Sequence, residues 1–193
     1  MTRALLIVDV QNDFTEGGAL GCSGGGQVAR DVTGYLRTHR DAYDVVVASR
    51  DWHDADNTNG GHFAETPDFV DSWPVHCVAG TTGAEFHPDL DTSLLSDQVF
   101  KGQGKPDYSA FQGVDEQDRA LIDVLRDADV RDLDIVGIAT DHCVRASALE
   151  AVSLGFNVRV FSDLCAGVAP ETSAAALDEL EAAGAEIEYV GIA

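Results

Sequence analysis

Short apolar runs recur along this chain at residues 4–9, 44–49, 97–101, 133–139, 157–162 and 185–190. Helical periodicity fills several of the gaps, at 26–41, 115–128, 142–154 and 171–183. Strands alternating with helices of this length imply a parallel sheet covered on both faces. The last two helices have clear edges: Pro170 falls in a first turn, and Gly155 and Gly184 stand where a helix should stop. The 193 residues suffice for one domain with a full core and are marginal for two. With no internal repeat or low-complexity linker, residues 1–193 are expected to form a single domain.

One segment breaks the rhythm. Residues 51–96 show no sustained period and are rich in Asp, Gly, His, Pro and Thr. A long irregular segment inside a compact domain is usually a functional loop. This one carries four of the six histidines, His53, His62, His76 and His87.

The charge balance excludes several functions. Thirty-four acidic residues face 12 basic ones, for a net charge of −22, and Lys101 and Lys105 are the only lysines. That argues against nucleic acid or an anionic membrane as partner. The acids are spread through periodic segments and not gathered in a tail, so disorder explains them poorly. A surface this acidic resembles proteins from salt-loaded cytoplasms. No apolar run is long enough to cross a bilayer, and "MTRALLIVDVQNDF" reads as a first strand, not a signal peptide. Cys22, Cys77, Cys143 and Cys165 are widely spaced, so reduced thiols in a cytoplasmic protein are expected.

In open parallel sheets, ligands sit at the carboxyl ends of the strands. Asp9 ends the first strand, Asp51 and His53 follow the second, Lys101 closes the third and Cys143 follows the fourth. Thr140 or Asp141 is a good N-cap, which places Cys143 in a first helical turn. There the dipole favours a thiolate and backbone N–H groups can receive an oxyanion. A buried structural cysteine is the bland alternative, and it suits Cys22, Cys77 and Cys165 better. His142 adjoins Cys143, but neighbours on a helix point about 100° apart, so Asp9 is the easier base. Asp9 and Lys101 each carry charge at a buried strand end, as a plain ion pair or as proton-transfer machinery. Asp13 reads as a turn or capping residue.

The loop offers metal ligands. Asp51 and His53 are two apart, so an extended segment turns them to one side. His62 and His76 can fold back to join them, and three imidazoles with one carboxylate suit Zn, Fe or Mn. His39 and His87 read as exposed histidines. Two motif matches fail: "GCSGG" has no strand leading into it, and "KGQGKP" lacks the spacing and terminal hydroxyl of a phosphate loop.

Together "LLIVDVQNDF", "SRDWH", "SWPVHCVAGTTGAEFHP", "VFKG" and "GIATDHCV" resemble the nicotinamidase/pyrazinamidase enzymes of the isochorismatase-like cysteine hydrolases. The resemblance spans nearly the whole chain. It implies a three-layer α/β/α fold on a six-stranded parallel sheet, and a triad of Asp9, Lys101 and Cys143. It implies a divalent metal on Asp51, His53, His62 and His76, with zinc first and iron or manganese as alternatives. A cis peptide at Ile138–Ala139 would turn the N–H groups of Ala139 and Cys143 into an oxyanion hole. Phe14, Trp73 and Tyr108, with Ile138 and Ala139, would line the ring pocket. The partner implied is a small molecule, nicotinamide or pyrazinamide, in NAD salvage, and a homo-oligomer is left open. The eight residues between His53 and His62 exceed the gap the resemblance implies, and "GQGKPDYSAF" departs from the commoner sequence after the lysine. Rival readings are a related hydrolase of carbamoyl or ureido substrates, which has less need of the metal set, and a non-catalytic metal-binding or redox protein.

Overall fold

The computed structural model describes residues 2–191. Six parallel strands form one sheet in the order β3-β2-β1-β4-β5-β6. They are β1 (Thr2–Val8), β2 (Val45–Asp51), β3 (Asp97–Lys101), β4 (Val130–Ile138), β5 (Asn157–Ala166) and β6 (Glu186–Glu188). Four helices pack on it: α1 (Gly25–His39), α2 (Leu121–Asp127), α3 (Arg145–Ser153) and α4 (Pro170–Ala183).

Strand side chains alternate between faces, and here both faces are covered, which is why the strands read as continuous apolar runs. Leu5, Ile7, Val46, Ala48, Val136 and Phe161 meet Val28, Val32 and Leu36 of α1. From the opposite face Leu6, Val8, Val47, Leu133, Ile135 and Val160 meet Leu121 and Leu125 of α2, Ala148 of α3 and Leu180 of α4. The chain therefore has the expected α/β/α layering.

The helix edges follow local chemistry. Pro170 opens α4, and Gly184, at a φ of 105°, closes it in the left-handed conformation that favours glycine. The helix expected over 115–128 is shorter than its periodicity, beginning only at Leu121. The Asp115 carboxylate accepts the backbone N–H groups of Gln117 and Arg119 at 2.8 and 2.9 Å, and this local capture competes with the helix. The helix expected from residue 142 starts at Arg145, behind a π-helical turn over Thr140–Val144.

The strand order reverses between β1 and β4, which pair from Arg3 opposite Asp132 to Val8 opposite Gly137. The switch-point crevice therefore opens beyond Val8 and Ile138. The irregular segment after β2 is pinned over that crevice by isolated bridges joining His53 to Val78, Phe63 to Trp73 and Gln11 to Phe86. Among the described residues no helix is long and apolar enough to cross a membrane.

Candidate active site

Asp9, Asp51, Lys101 and Cys143 leave four adjacent strands at one edge, and all four are buried. Asp9 directly follows β1 at a φ of 47°, and its Oδ1 accepts the Ser49 hydroxyl at 2.7 Å. Its Oδ2 stands 2.8 Å from Lys101 Nζ. The same ammonium is hydrogen-bonded to Asp51 Oδ1 and donates to Cys143 Sγ at 3.6 Å. The cation thus touches both carboxylates and the thiol.

Burial penalises every charge in this group, and the neighbours decide which survive. For Lys101 the two carboxylates outweigh burial and hold the ammonium well above its ordinary range. For Asp51 burial is likewise outweighed, by Lys101 and by the imidazoles of His53 and His76 beside its other oxygen, so its carboxyl is held well below the usual range. Asp9 goes the other way: burial dominates and, with the Asp51 charge, raises its carboxyl despite Lys101. Two carboxylates on one cation are therefore driven apart, Asp51 toward a fixed anion and Asp9 toward a form that can take up a proton.

Cys143 departs from the expected thiolate. Burial pushes its thiol well up, and the pull of Lys101 does not offset it against Asp9 and Asp51. The expected N-cap is also missing: Ala139 precedes the turn, and no side chain caps it. The resting group is a thiol, which becomes a nucleophile only on losing its proton. The turn is held from behind, because Ser147 Oγ donates to the Cys143 carbonyl at 2.6 Å and accepts the Ala110 N–H at 2.9 Å.

The other oxygen of Asp51 faces the histidines. Asp51 Oδ2 lies 3.5 Å from His53 Nε2 and 3.7 Å from His76 Nε2. His62 completes the set, with one nitrogen of each imidazole within 4.8 Å of the others. His53 Nδ1 bonds the Gly102 carbonyl and His76 Nδ1 the Pro74 carbonyl, each at 2.8 Å, which leaves both Nε2 atoms as acceptors. A Cβ on Gly102 would sit 2.5 Å from the His53 ring, so only glycine allows this approach. His53 Nε2 and His62 Nδ1 are buried with no hydrogen-bond partner. Three imidazoles and a carboxylate, with orphaned nitrogens, fit a divalent metal.

A cavity of about 560 Å³ joins the two groups. Phe14, Trp73, Tyr108 and Ala139 line it, together with Cys143 and His76. Ile138 does not: it is fully buried, and its Cδ1 points toward Gly25. The Ile138–Ala139 peptide is cis. Trp73 Nε1 donates to Tyr108 Oη at 2.8 Å, and His142 lies edge-on to Trp73 at 5.1 Å between ring centroids. His142 thus belongs to the cavity wall. Asp13 is a turn residue as expected, accepting the Cys77 N–H at 2.7 Å beside His76.

Sequence reading missed several supports. Gln11 is fully buried; it donates to the carbonyls of Asp51 and Ala84, both at 2.9 Å, and accepts the Asp51 N–H at 2.8 Å. Ser49 and Asp141 are likewise polar residues whose partners lie far away in sequence. The one available signal was an uncharged polar side chain, Gln11, inside an apolar strand-end stretch.

A buried thiol, carboxylate and ammonium beside a histidine cluster, at the switch point of an all-parallel sheet, define a cysteine hydrolase of the isochorismatase type. The Isochorismatase domain model matches residues 3–189, and the chain belongs to that family. It is 50% identical over 185 residues to the nicotinamidase/pyrazinamidase of Mycobacterium tuberculosis, covering 96% of this chain and 97% of the relative. The pyrazinamidase of Pyrococcus horikoshii, solved in complex with zinc, is 36% identical with a TM-score of 0.82 over 98% of this chain and 99% of its own. PnC1 of L. infantum, solved in complex with nicotinate, is 30% identical with a TM-score of 0.82 over 97% and 92%.

Proposed function

We propose that the chain is a metal-dependent cysteine amidohydrolase converting nicotinamide to nicotinate and ammonia, and pyrazinamide likewise, through a thioester on Cys143. The observation that carries this reading is the split carboxylate of Asp51, which faces Lys101 with one oxygen and the three imidazoles with the other. It makes one site of a nucleophile and a ring anchor, which a carboxamide on a nitrogen heterocycle requires.

Asp9 takes the thiol proton as Sγ attacks the carboxamide carbon. The N–H groups of Ala139 and Cys143 receive the oxyanion. Asp9 passes the proton to the departing amine, which leaves as ammonia, and the thioester remains on Cys143. Water, deprotonated by Asp9, then hydrolyses the thioester to the acid and restores the thiol. Lys101 holds Asp9 in place and offsets the negative charge that moves between the carboxylate and the sulfur. Phe14, Trp73 and Tyr108 fix the ring plane. Asp51, His53, His62 and His76 would hold the divalent metal, which when bound supplies a Lewis-acid anchor for the pyridine nitrogen.

Zinc suits this donor set best, and iron and manganese accept the same ligands. The reaction serves NAD salvage in the cytoplasm, and the acidic composition fits a salt-rich one. Steady-state ammonia release from nicotinamide, with metal content measured on the same sample, tests the reading. A carbamoyl or ureido substrate would leave the imidazole cluster without a task, so turnover of such substrates in preference to nicotinamide would replace it.

A further inference from the structure

Asp141 lies two residues before Cys143, in the same π-helical turn, yet its carboxylate leaves that turn. Oδ1 accepts the Val168 N–H at 2.9 Å, and Oδ2 accepts the Ala169 N–H at 3.2 Å and the Thr172 hydroxyl. These donors precede and open α4, whose own N-cap, Ala169, has no side-chain acceptor to offer. Asp141 therefore caps the start of a helix through backbone groups 27 and 28 residues away in sequence, instead of the helix it precedes.

The segment it grips is a thin wall. Val168 and Ala169 line the cavity that holds Cys143 on one side. On the other side they line a second cavity of about 480 Å³, bounded by Ser23 and Gln27 near the start of α1. With open space behind it, the wall takes little support from packing, and Val168 is 55% exposed. Gly167 lets the carboxylate come close, since a Cβ there would lie 3.2 Å from Asp141 Oδ1 and 1.9 Å from Ser173 Oγ. Burial opposes the Asp141 charge, but the Thr172, Val168 and Ala169 donors outweigh it and hold the carboxyl below its usual range.

We propose that Asp141 is a positioning residue that latches the Gly167–Thr172 wall to the turn carrying Cys143, and so fixes the width of the cavity in which the substrate ring is held. The latch acts on binding and not on the nucleophile, because Ser147 and the Ala139 carbonyl anchor the backbone of the turn independently. Its kinetic consequence rests on the proposed nicotinamide reaction; the latch itself does not.

The test compares Asp141→Asn, Thr172→Val and Thr172→Ser in the metal-loaded enzyme. Asp141→Asn should raise KM for nicotinamide about tenfold, with kcat held within about threefold, the scale expected when a charged acceptor is lost from such a cluster. Thr172→Val should raise KM less, and Thr172→Ser, which keeps the hydroxyl, should behave as wild type. Amide hydrogen exchange reads the latch directly. Val168 and Ala169 should lose protection in Asp141→Asn while β4 keeps its own. A helix cap of purely structural value would lower Tm and leave KM unmoved. Unchanged KM, or a fall confined to kcat, overturns the positioning role. Should Asp141→Asn fail to fold, Thr172→Val carries the same two readouts with the charge intact. A wild type without nicotinamide turnover would undo the functional reading; the exchange arm stands without it, and full protection of Val168 and Ala169 in the variant overturns the latch.

Discussion

Asp51 and Lys101 are register partners at the carboxyl ends of β2 and β3, and their side chains pair at the floor of the cavity. The pairing ties the strand that leads into the histidine loop to the cation beside the thiol. Because the second Asp51 oxygen faces His53 and His76, a change in either group is felt by the other. Among the described residues Lys101 is also the largest fully buried side chain, an expensive placement unless both of its carboxylate partners persist.

Asp9 is the carboxyl raised by burial, and Asp51 the one held ionised. Asp9→Asn should therefore remove the proton carrier and lower kcat by about 10⁴-fold, the scale of losing a member of a catalytic triad. Ser49→Ala, which removes only the hydroxyl on Asp9 Oδ1, should cost about tenfold. Steady-state kinetics on both variants separate the roles. Equal losses would make Asp9 a structural ion-pair partner.

Removing the metal should harm ring substrates selectively. In His53→Ala, or after chelation, nicotinamide turnover should drop by at least about a hundredfold, as expected when ligand positioning is lost. Cys143 should still react with iodoacetamide, because it and Asp9 leave other strands. In the wild type, pyrazinamide keeps a nitrogen at the equivalent ring position and should be hydrolysed; benzamide lacks it and should be poor. Benzamide turned over as fast as nicotinamide would remove the anchoring role.

Acid should destabilise the metal-free protein through His62. Burial, with His76 and His53, brings its pKa from 6.5 down to about 3. A depressed histidine stays neutral in the folded chain while the unfolded chain takes up a proton. Its contribution is therefore complete above pH 6.5 and is lost progressively as pH falls toward 3. Metal binding also needs neutral imidazoles, so the ion is removed before the measurement. Thermal melts of chelated protein from pH 7.5 to 4.5 should show a falling midpoint, and His62→Gln should flatten that slope. Parallel slopes would contradict the assignment.

Salt should stabilise the fold. A net charge of −22 repels itself over a Debye length of about 10 Å at 0.1 M salt but about 3 Å at 1 M. Both the melting midpoint and activity should rise from low to molar potassium chloride. A midpoint unchanged or lowered by salt would refute the expectation.

How much of this was legible before the fold? Strand order could not be read, but the strand ends could, because a strand buried on both faces must run apolar until it reaches the crevice. That places Asp9, Asp51 and Lys101 from sequence alone. The histidine cluster was legible only as a loop rich in ligands, since closing it needs the bridge from Phe63 to Trp73 and the close packing of His53 on Gly102. Cys143 was legible as a strand-to-helix residue. The state of its thiol was not: the intervening π-helical turn and the depth of burial are tertiary facts, and they reverse the simple dipole argument. Gln11, Ser49 and Asp141 act through partners at least twenty-seven residues away, where local pattern carries no signal.

The most direct measurement is ammonia release from nicotinamide by wild type and Cys143→Ala, with metal content determined on the same samples. The wild type should carry a divalent metal and release ammonia in step with nicotinate. The Cys143→Ala protein should keep the metal, because the thiol is no part of the histidine cluster, and release no ammonia above background. Steady ammonia release by metal-loaded Cys143→Ala, free of wild-type contamination, would contradict a nucleophilic thiol.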